Sequence, residues 1–135
     1  MSFTARLVNR LTFPTKHVLI VEDDIEQQRN LLGVFQRLFG AQGHVQVSVV
    51  PGGLFAADFY DEDLDISLIL LDHDLPHGSG PEFMDYLLSR TNPYRAPMVM
   101  TASGIPSNND ALMVAGAKYK FTKNEIVEGK ADDLL

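Results

Sequence analysis

The 135-residue chain contains no cysteine, which excludes a disulfide scaffold, a thiolate zinc site and a cysteine nucleophile. It also lacks a long apolar run. The longest uninterrupted stretch is the five residues Ala111 to Ala115, whereas a membrane-spanning helix needs roughly 20. Basic residues are scarce, 11 Lys and Arg against 18 Asp and Glu for a formal charge of −7. That balance disfavours direct nucleic-acid binding, whose affinity comes largely from phosphate contacts. The rest is ordinary: 45% hydrophobic and 21% charged, the composition of a globular chain with a length that fits one domain.

The charge is unevenly spread. Residues 1–17 hold Arg6, Arg10 and Lys16 and no acid, so the remaining 118 residues carry 8 basic against 18 acidic groups, a net of −10. The leader has no apolar core of about 7–15 residues and no small-residue cleavage site. Residues 1–16 therefore read as a flexible N-terminal extension of a cytoplasmic protein rather than a targeting signal.

Beyond the leader, short apolar runs alternate with helical patterns. HVLIV (17–21) is apolar without polar alternation, the mark of a strand buried on both faces. Ile25, Leu32, Phe35 and Phe39, with Leu31 and Leu38 beside them, then recur at helical spacing until Gly40 and Gly43 stop the pattern. VQVSVV (45–50) predicts a second strand, and Pro51 opens a short helix with Phe55 and Phe59 four apart. ISLILL (66–71) predicts a third strand. Ser79 with Glu82 resembles a capping box and opens a helix with Phe83/Leu87 and Met84/Leu88 pairs. PMVMT (97–101) predicts a fourth strand, Ser107 with Asp110 repeats the capping spacing before a helix through Ala115, and residues 119–122 predict a short fifth strand. A final helix over 125–135 is weakened by Gly129. The acidic run Asp61, Glu62, Asp63, Asp65 lacks the glycine and terminal glutamate of a calcium loop and reads as a solvated turn.

Strands alternating with helices at this spacing imply an α/β fold, a parallel sheet wound on both faces. Ligands in such sheets sit at the carboxyl ends of the strands. There the first strand carries Glu22, Asp23 and Asp24, the third Asp72, His73 and Asp74, the fourth Thr101, Ala102 and Ser103, and the fifth Lys123. Asp24 alone suits a helix cap. Several carboxylates converging in a partly desolvated cleft repel one another and must bind protons or a cation. Oxygen-only ligands select a hard ion, Mg²⁺ or Mn²⁺. Lysine and threonine offer a point charge and a hydroxyl to a phosphoryl group, and an aspartate beside the cation can act as its acceptor.

The stretches VLIVEDD (18–24), LLDHDLPHGSG (70–80), MVMTASG (98–104) and GAKYKFTKN (116–124) resemble the CheY-like receiver domain of bacterial two-component response regulators, over residues 17–135. The resemblance implies a single (βα)₅ flavodoxin-like domain with strand order 2-1-3-4-5. It implies Asp72 as phosphoacceptor, Thr101 as the switch hydroxyl and Lys123 as the phosphoryl-pairing lysine. Glu22, Asp23, Asp72 and the main-chain carbonyl of Asp74 would hold Mg²⁺, with Glu22 acting through water. Pro76 and Gly80 match the residues that shape the loop after the phosphoacceptor. A sensor histidine kinase or phosphotransfer protein would be the donor, and an unidentified protein the target, with a homodimer also open. Such a domain signals and is not an enzyme beyond its own phosphorylation and dephosphorylation.

The pattern departs from the family in three places. Three residues before Lys123, where the family usually has an aromatic whose rotamer follows the switch threonine, stands Lys120, flanked by Tyr119 and Phe121, and Asn124 replaces the proline after the lysine. Only 12 residues follow Lys123, so the expected last helix is short and no output domain is expected. Two other readings compete: a phosphorylation-independent receiver serving as an interaction module, and a haloacid-dehalogenase-type phosphatase suggested by the Asp72-His73-Asp74 triplet. The triplet follows the third strand rather than the first, and the chain has no room for a cap domain. His73 and His77, four apart, would share a metal only on a helix, and Pro76 and Gly78 make this a loop.

Overall fold

Val18, Leu19, Ile20 and Val21 place apolar side chains on both faces of a strand, and together with His17 they are buried along its whole length. A computed structural model of the chain describes residues 17–40, 46–62, 66–90 and 97–120. The predicted N-terminal extension, the final helix over 125–135 and residues 121–122 of the predicted fifth strand lie outside them. Five strands, β1 (His17–Val21), β2 (Gln46–Val50), β3 (Ile66–Leu71), β4 (Met98–Thr101) and β5 (Tyr119–Lys120), form one sheet in the order β2-β1-β3-β4-β5. Every neighbouring pair is parallel. Helices α1 (Ile25–Gly40), α2 (Gly53–Glu62), α3 (Gly80–Arg90) and α4 (Pro106–Val114) follow the first four strands in turn. This is the flavodoxin-like architecture and strand order expected from the sequence.

Strand residues divide between two apolar layers. Val18, Ile20, Leu68, Leu70, Met98 and Met100 meet Leu31, Val34 and Phe35 of α1. Leu19, Val21, Ile69, Leu71 and Val99 meet Ala56 and Tyr60 of α2, Phe83, Met84 and Leu87 of α3, and Leu112 of α4. Helices therefore cover both faces, and each fully buried large aliphatic side chain stabilises the fold by about 1.5–3 kcal/mol. On α2 the buried stripe is Ala56 and Tyr60, while Phe55 of the predicted Phe55/Phe59 pair is 46% exposed.

β3 has one irregularity that its apolar run conceals. His17 pairs with Ile66 but Val18 pairs with Leu68, so Ser67 is an extra residue in the ladder. The bulge lets Ile66 share a layer with Ile69 despite their odd spacing. Around it, Ser67 Oγ donates to the His17 carbonyl at 3.4 Å. The buried His17 ring shares a 2.7 Å hydrogen bond with Ser48 Oγ and meets Phe59 edge-on at 5.2 Å.

The helix starts follow local chemistry in two cases and depart from it in one. Asp24 caps α1, its Oδ1 accepting from Gln27 N–H at 2.9 Å. Ser79 caps α3, its Oγ accepting from Glu82 N–H at 3.3 Å. The predicted Ser107–Asp110 cap of α4 is corrected: the helix begins at Pro106, with Ile105 in the cap position and no side-chain cap bond. Proline suits the first helical turn because its φ is preset and no N–H there needs a partner.

Candidate functional site

Backbone bonds carry the sheet one residue past its strands. Glu22 N–H donates to Val50 O at 3.0 Å, Asp72 N–H to Val21 O at 3.2 Å, and Ala102 N–H to Leu71 O at 3.0 Å. Glu22, Asp72 and the Thr101–Ala102 step are therefore held in register with a rigid sheet, at adjacent strand ends. Glu22 is 1% exposed, Asp72 6% and Thr101 fully buried, whereas Asp23 is exposed. Single carboxylate oxygens of Glu22, Asp23 and Asp72 all lie within 4.8 Å of one another. Within 4.8 Å, two ionised carboxylates repel by roughly 3 kcal/mol at an effective dielectric of about 20. The donors are all hard oxygens, partly buried, converging on one point, and this set fits a hard divalent cation.

The supports of the cluster are local. Asp24 N–H donates to Glu22 Oε1 at 3.2 Å, and Gln28 Nε2 donates to the Glu22 carbonyl at 2.6 Å, so the first turn of α1 holds the acidic residue in place. His73 N–H donates to Asp72 Oδ1 at 2.8 Å. Thr101 Oγ1 is buried with no hydrogen-bond partner among the described residues. A buried hydroxyl left so costs about 1–3 kcal/mol, and its position beside the end of β3, opposite Leu71 in the ladder, gives it an obvious use. It can donate to an oxygen of an anion bound at Asp72.

The loop after β3 is pinned at both ends. Gly80 N–H donates to His73 O at 2.9 Å, and the carbonyls of His77 and Gly78 accept from the first amides of α2, Leu54 and Gly53, at 2.8 and 2.9 Å. Gly78 takes φ +85°, and a Cβ on Gly53 would stand 2.5 Å from the Gly78 oxygen, so this approach of two backbones requires glycine. The Asp74 carboxylate has partners of its own: Oδ1 lies 2.9 Å from His73 Nδ1 and Oδ2 accepts from Asn108 Nδ2 at 3.1 Å. His77 instead meets Phe55 edge-on at 5.7 Å. The two histidines have different partners, and Glu22, Asp23 and Asp72 form the candidate metal cluster among the described residues.

Of the predicted site residues, Glu22, Asp23 and Asp72 come together at the carboxyl ends of β1 and β3, and Thr101 lies at the end of the neighbouring β4. Lys123, with Phe121 and Asn124, lies outside the described residues. Lys120 is on β5, its Nζ 2.7 Å from Asp110 Oδ1 at an exposed surface. Sequence reasoning missed Asn108 and Asn109. Asn109 is buried, accepting from Ser103 N–H at 2.8 Å and donating to Ser103 O at 3.1 Å. The polar run after Pro106 was the only available sign of it.

No protein-family model matches the sequence, and no curated protein matches it. Solved structures do. The response regulator domain of Thermotoga maritima CheB superposes with a TM-score of 0.68 at 16% identity, covering 89% of this chain and 93% of that one. The chain has the receiver-domain fold. A response regulator signal receiver domain from Bermanella marisrubri gives a TM-score of 0.69 at 20% identity, over 89% of this chain and 95% of that one. The phosphorylated cyanobacterial phytochrome response regulator RcpA gives 0.64 at 19% identity, over 84% and 87%. At such identities the receiver likeness is one of fold.

Proposed function

We propose that residues 17–135 form a phosphoacceptor receiver, in a cytoplasmic two-component phosphorelay, that signals by protein–protein contact. The observation that carries this reading is the convergence of the Glu22, Asp23 and Asp72 carboxylates, with the buried Thr101 hydroxyl, which has no partner among the described residues, on the neighbouring strand end. Glu22, Asp23, Asp72 and the Asp74 carbonyl would hold Mg²⁺, and when bound the ion would neutralise charge on the transferring phosphoryl group. An Asp72 carboxylate oxygen attacks the phosphorus of a donor phosphohistidine, presented by a sensor kinase or phosphotransfer protein. The P–N bond breaks with its electron pair on the departing imidazole, which takes up a proton, and an O–P bond to Asp72 replaces it. Thr101 Oγ1 then donates to a phosphoryl oxygen, and Lys123 pairs with another. The phosphoryl charge biases the loops after β3 and β4 and the surface of α4 and β5 that a partner reads. No helix of the described residues is long and apolar enough to cross a membrane, in keeping with this setting.

A second reading, a phosphorylation-independent interaction module, is favoured by Lys120, whose ion pair with Asp110 occupies the position of the family's aromatic. A small phosphodonor such as acetyl phosphate, with Mg²⁺, separates the alternatives. One phosphoryl group per chain that is lost in Asp72→Asn supports the receiver. Turnover of many donor equivalents indicates a phosphatase, and neither adduct nor Mg²⁺ binding leaves the interaction module.

A further inference from the structure

Helix α4 is joined to the rest of the domain by three consecutive polar residues, each tied to a different element. Asn108 Nδ2 donates to Asp74 Oδ2 at 3.1 Å, in the loop two residues after Asp72. Asn109 brackets Ser103 through bonds of 2.8 and 3.1 Å, in the loop that leaves Thr101. Asp110 Oδ1 meets Lys120 Nζ at 2.7 Å on β5. Ser103 Oγ in turn accepts from Ile105 N–H at 3.1 Å, which fixes the entry to the helix.

Apolar anchoring of the same helix is thin. Leu112 is its one buried hydrophobic side chain among those described, and Val114 is 90% exposed. By contrast α3 buries Phe83, Met84 and Leu87. An element held by few apolar contacts and by partly exposed polar bonds belongs to the low-stability end of a fold, where local rearrangement is easiest. The outer two ties lie at the surface, and the Asp110–Lys120 ion pair, more than half exposed on both sides, is individually weak.

We propose that this clasp sets the position of α4 and carries the state of Asp72 to the α4–β5 surface, in place of an aromatic side chain at position 120. The inference rests on Asp72 being the phosphoacceptor. Charge added at Asp72 repels the Asp74 carboxylate and loosens its bond to Asn108, while a shift of Thr101 draws on the Ser103–Asn109 bracket next to it. Both displacements converge on the helix that carries Asp110, so the Asp110–Lys120 pair is re-formed or released at the surface. Coupling of this kind is reciprocal: tightening the surface pair changes the affinity of the acidic site by the same factor.

The test uses the full chain with Mg²⁺ and beryllofluoride as the phosphoryl stand-in, reading amide hydrogen exchange over residues 105–120. In the unsubstituted protein, exchange in α4 should change by about threefold or more on adding the probe, and Asn108→Ala should remove most of that change while the probe still binds. Asp110→Asn, an exposed and conservative substitution, should reduce the response at Lys120 in the same way. If the probe binds the unsubstituted protein and α4 exchange is unchanged, or if both variants respond like it, the clasp is refuted and the phosphoacceptor reading stands. If the probe does not bind the unsubstituted protein, the phosphoacceptor reading fails and the clasp with it.

Discussion

Gly80 is where the fold and the acidic site meet most tightly, and replacing it with alanine is the sharpest structural test of how Asp72 is held. A Cβ at this position would stand 2.3 Å from the Asp72 carbonyl oxygen, 3.0 Å from His73 Cα and 3.1 Å from Leu112 Cδ2. Two of these three neighbours are backbone, and both are part of the loop that carries the site. Overpacking against atoms that cannot rotate away costs about 1–3 kcal/mol. Moving the helix start outward also weakens the bond from Gly80 N–H to His73 O, now 2.9 Å, worth about 1 kcal/mol. Gly80 is the first residue of α3, so the propensity gain of alanine, at most about 1 kcal/mol in a helix interior, offsets little. The expected net loss is about 2–3 kcal/mol in urea unfolding, or roughly 8–12 °C in Tm. Mg²⁺ affinity should fall too, because the displaced atom is the Asp72 main chain. A Gly80→Ala protein within about 0.5 kcal/mol of the unsubstituted one, with unchanged Mg²⁺ binding, would refute this picture of the loop.

Thr101→Val should stabilise the unligated protein by about 1 kcal/mol, since it removes a buried hydroxyl with no partner among the described residues, while abolishing the response of α4 to beryllofluoride; destabilisation in urea would show that the hydroxyl is satisfied. Asp72→Asn should raise stability in the absence of divalent ions by about 1 kcal/mol, because it relieves part of the carboxylate repulsion. In saturating Mg²⁺ the order should reverse, as binding at about 100 times Kd adds about 2.7 kcal/mol to the unsubstituted protein; no crossover between the two thermal melts would count against a cation site. Asp24→Ala should cost about 1 kcal/mol through the lost α1 cap and leave Mg²⁺ affinity nearly unchanged in calorimetry, which separates Asp24 from its neighbours Glu22 and Asp23.

The sheet was legible chiefly through its central strands β1, β3 and β4, which are buried along their whole length and so read as short, unbroken apolar runs such as Ile66–Leu71. The site was legible for a related reason. Once parallel strands are established, their carboxyl ends lie side by side; Glu22, Asp23 and Asp72 stand just after β1 and β3, and Thr101 is the last residue of β4. What stayed hidden depends on partners far away in sequence. The Ser67 bulge is a property of the pairing with His17 and Val18, and nothing in ISLILL itself marks it. Ser107 and Asp110 show the spacing of a capping box, yet Pro106 starts the helix. Asn109 turns back to Ser103, and Asn108 finds Asp74, 34 positions earlier. Side chains such as asparagine bond wherever the fold brings a partner, so their roles follow from tertiary structure rather than from local pattern.

The central claim is that Asp72 accepts a phosphoryl group at a site its acidic neighbours share with Mg²⁺. Its most direct measurement is mass spectrometry of the intact chain after incubation with a phosphodonor, followed by borohydride trapping and peptide mapping, with Mg²⁺ and with chelator. The expected result is a single adduct at Asp72 that requires Mg²⁺ and is absent from Asp72→Asn. An adduct that persists in that variant or forms equally in chelator, or no adduct at all, would contradict the claim.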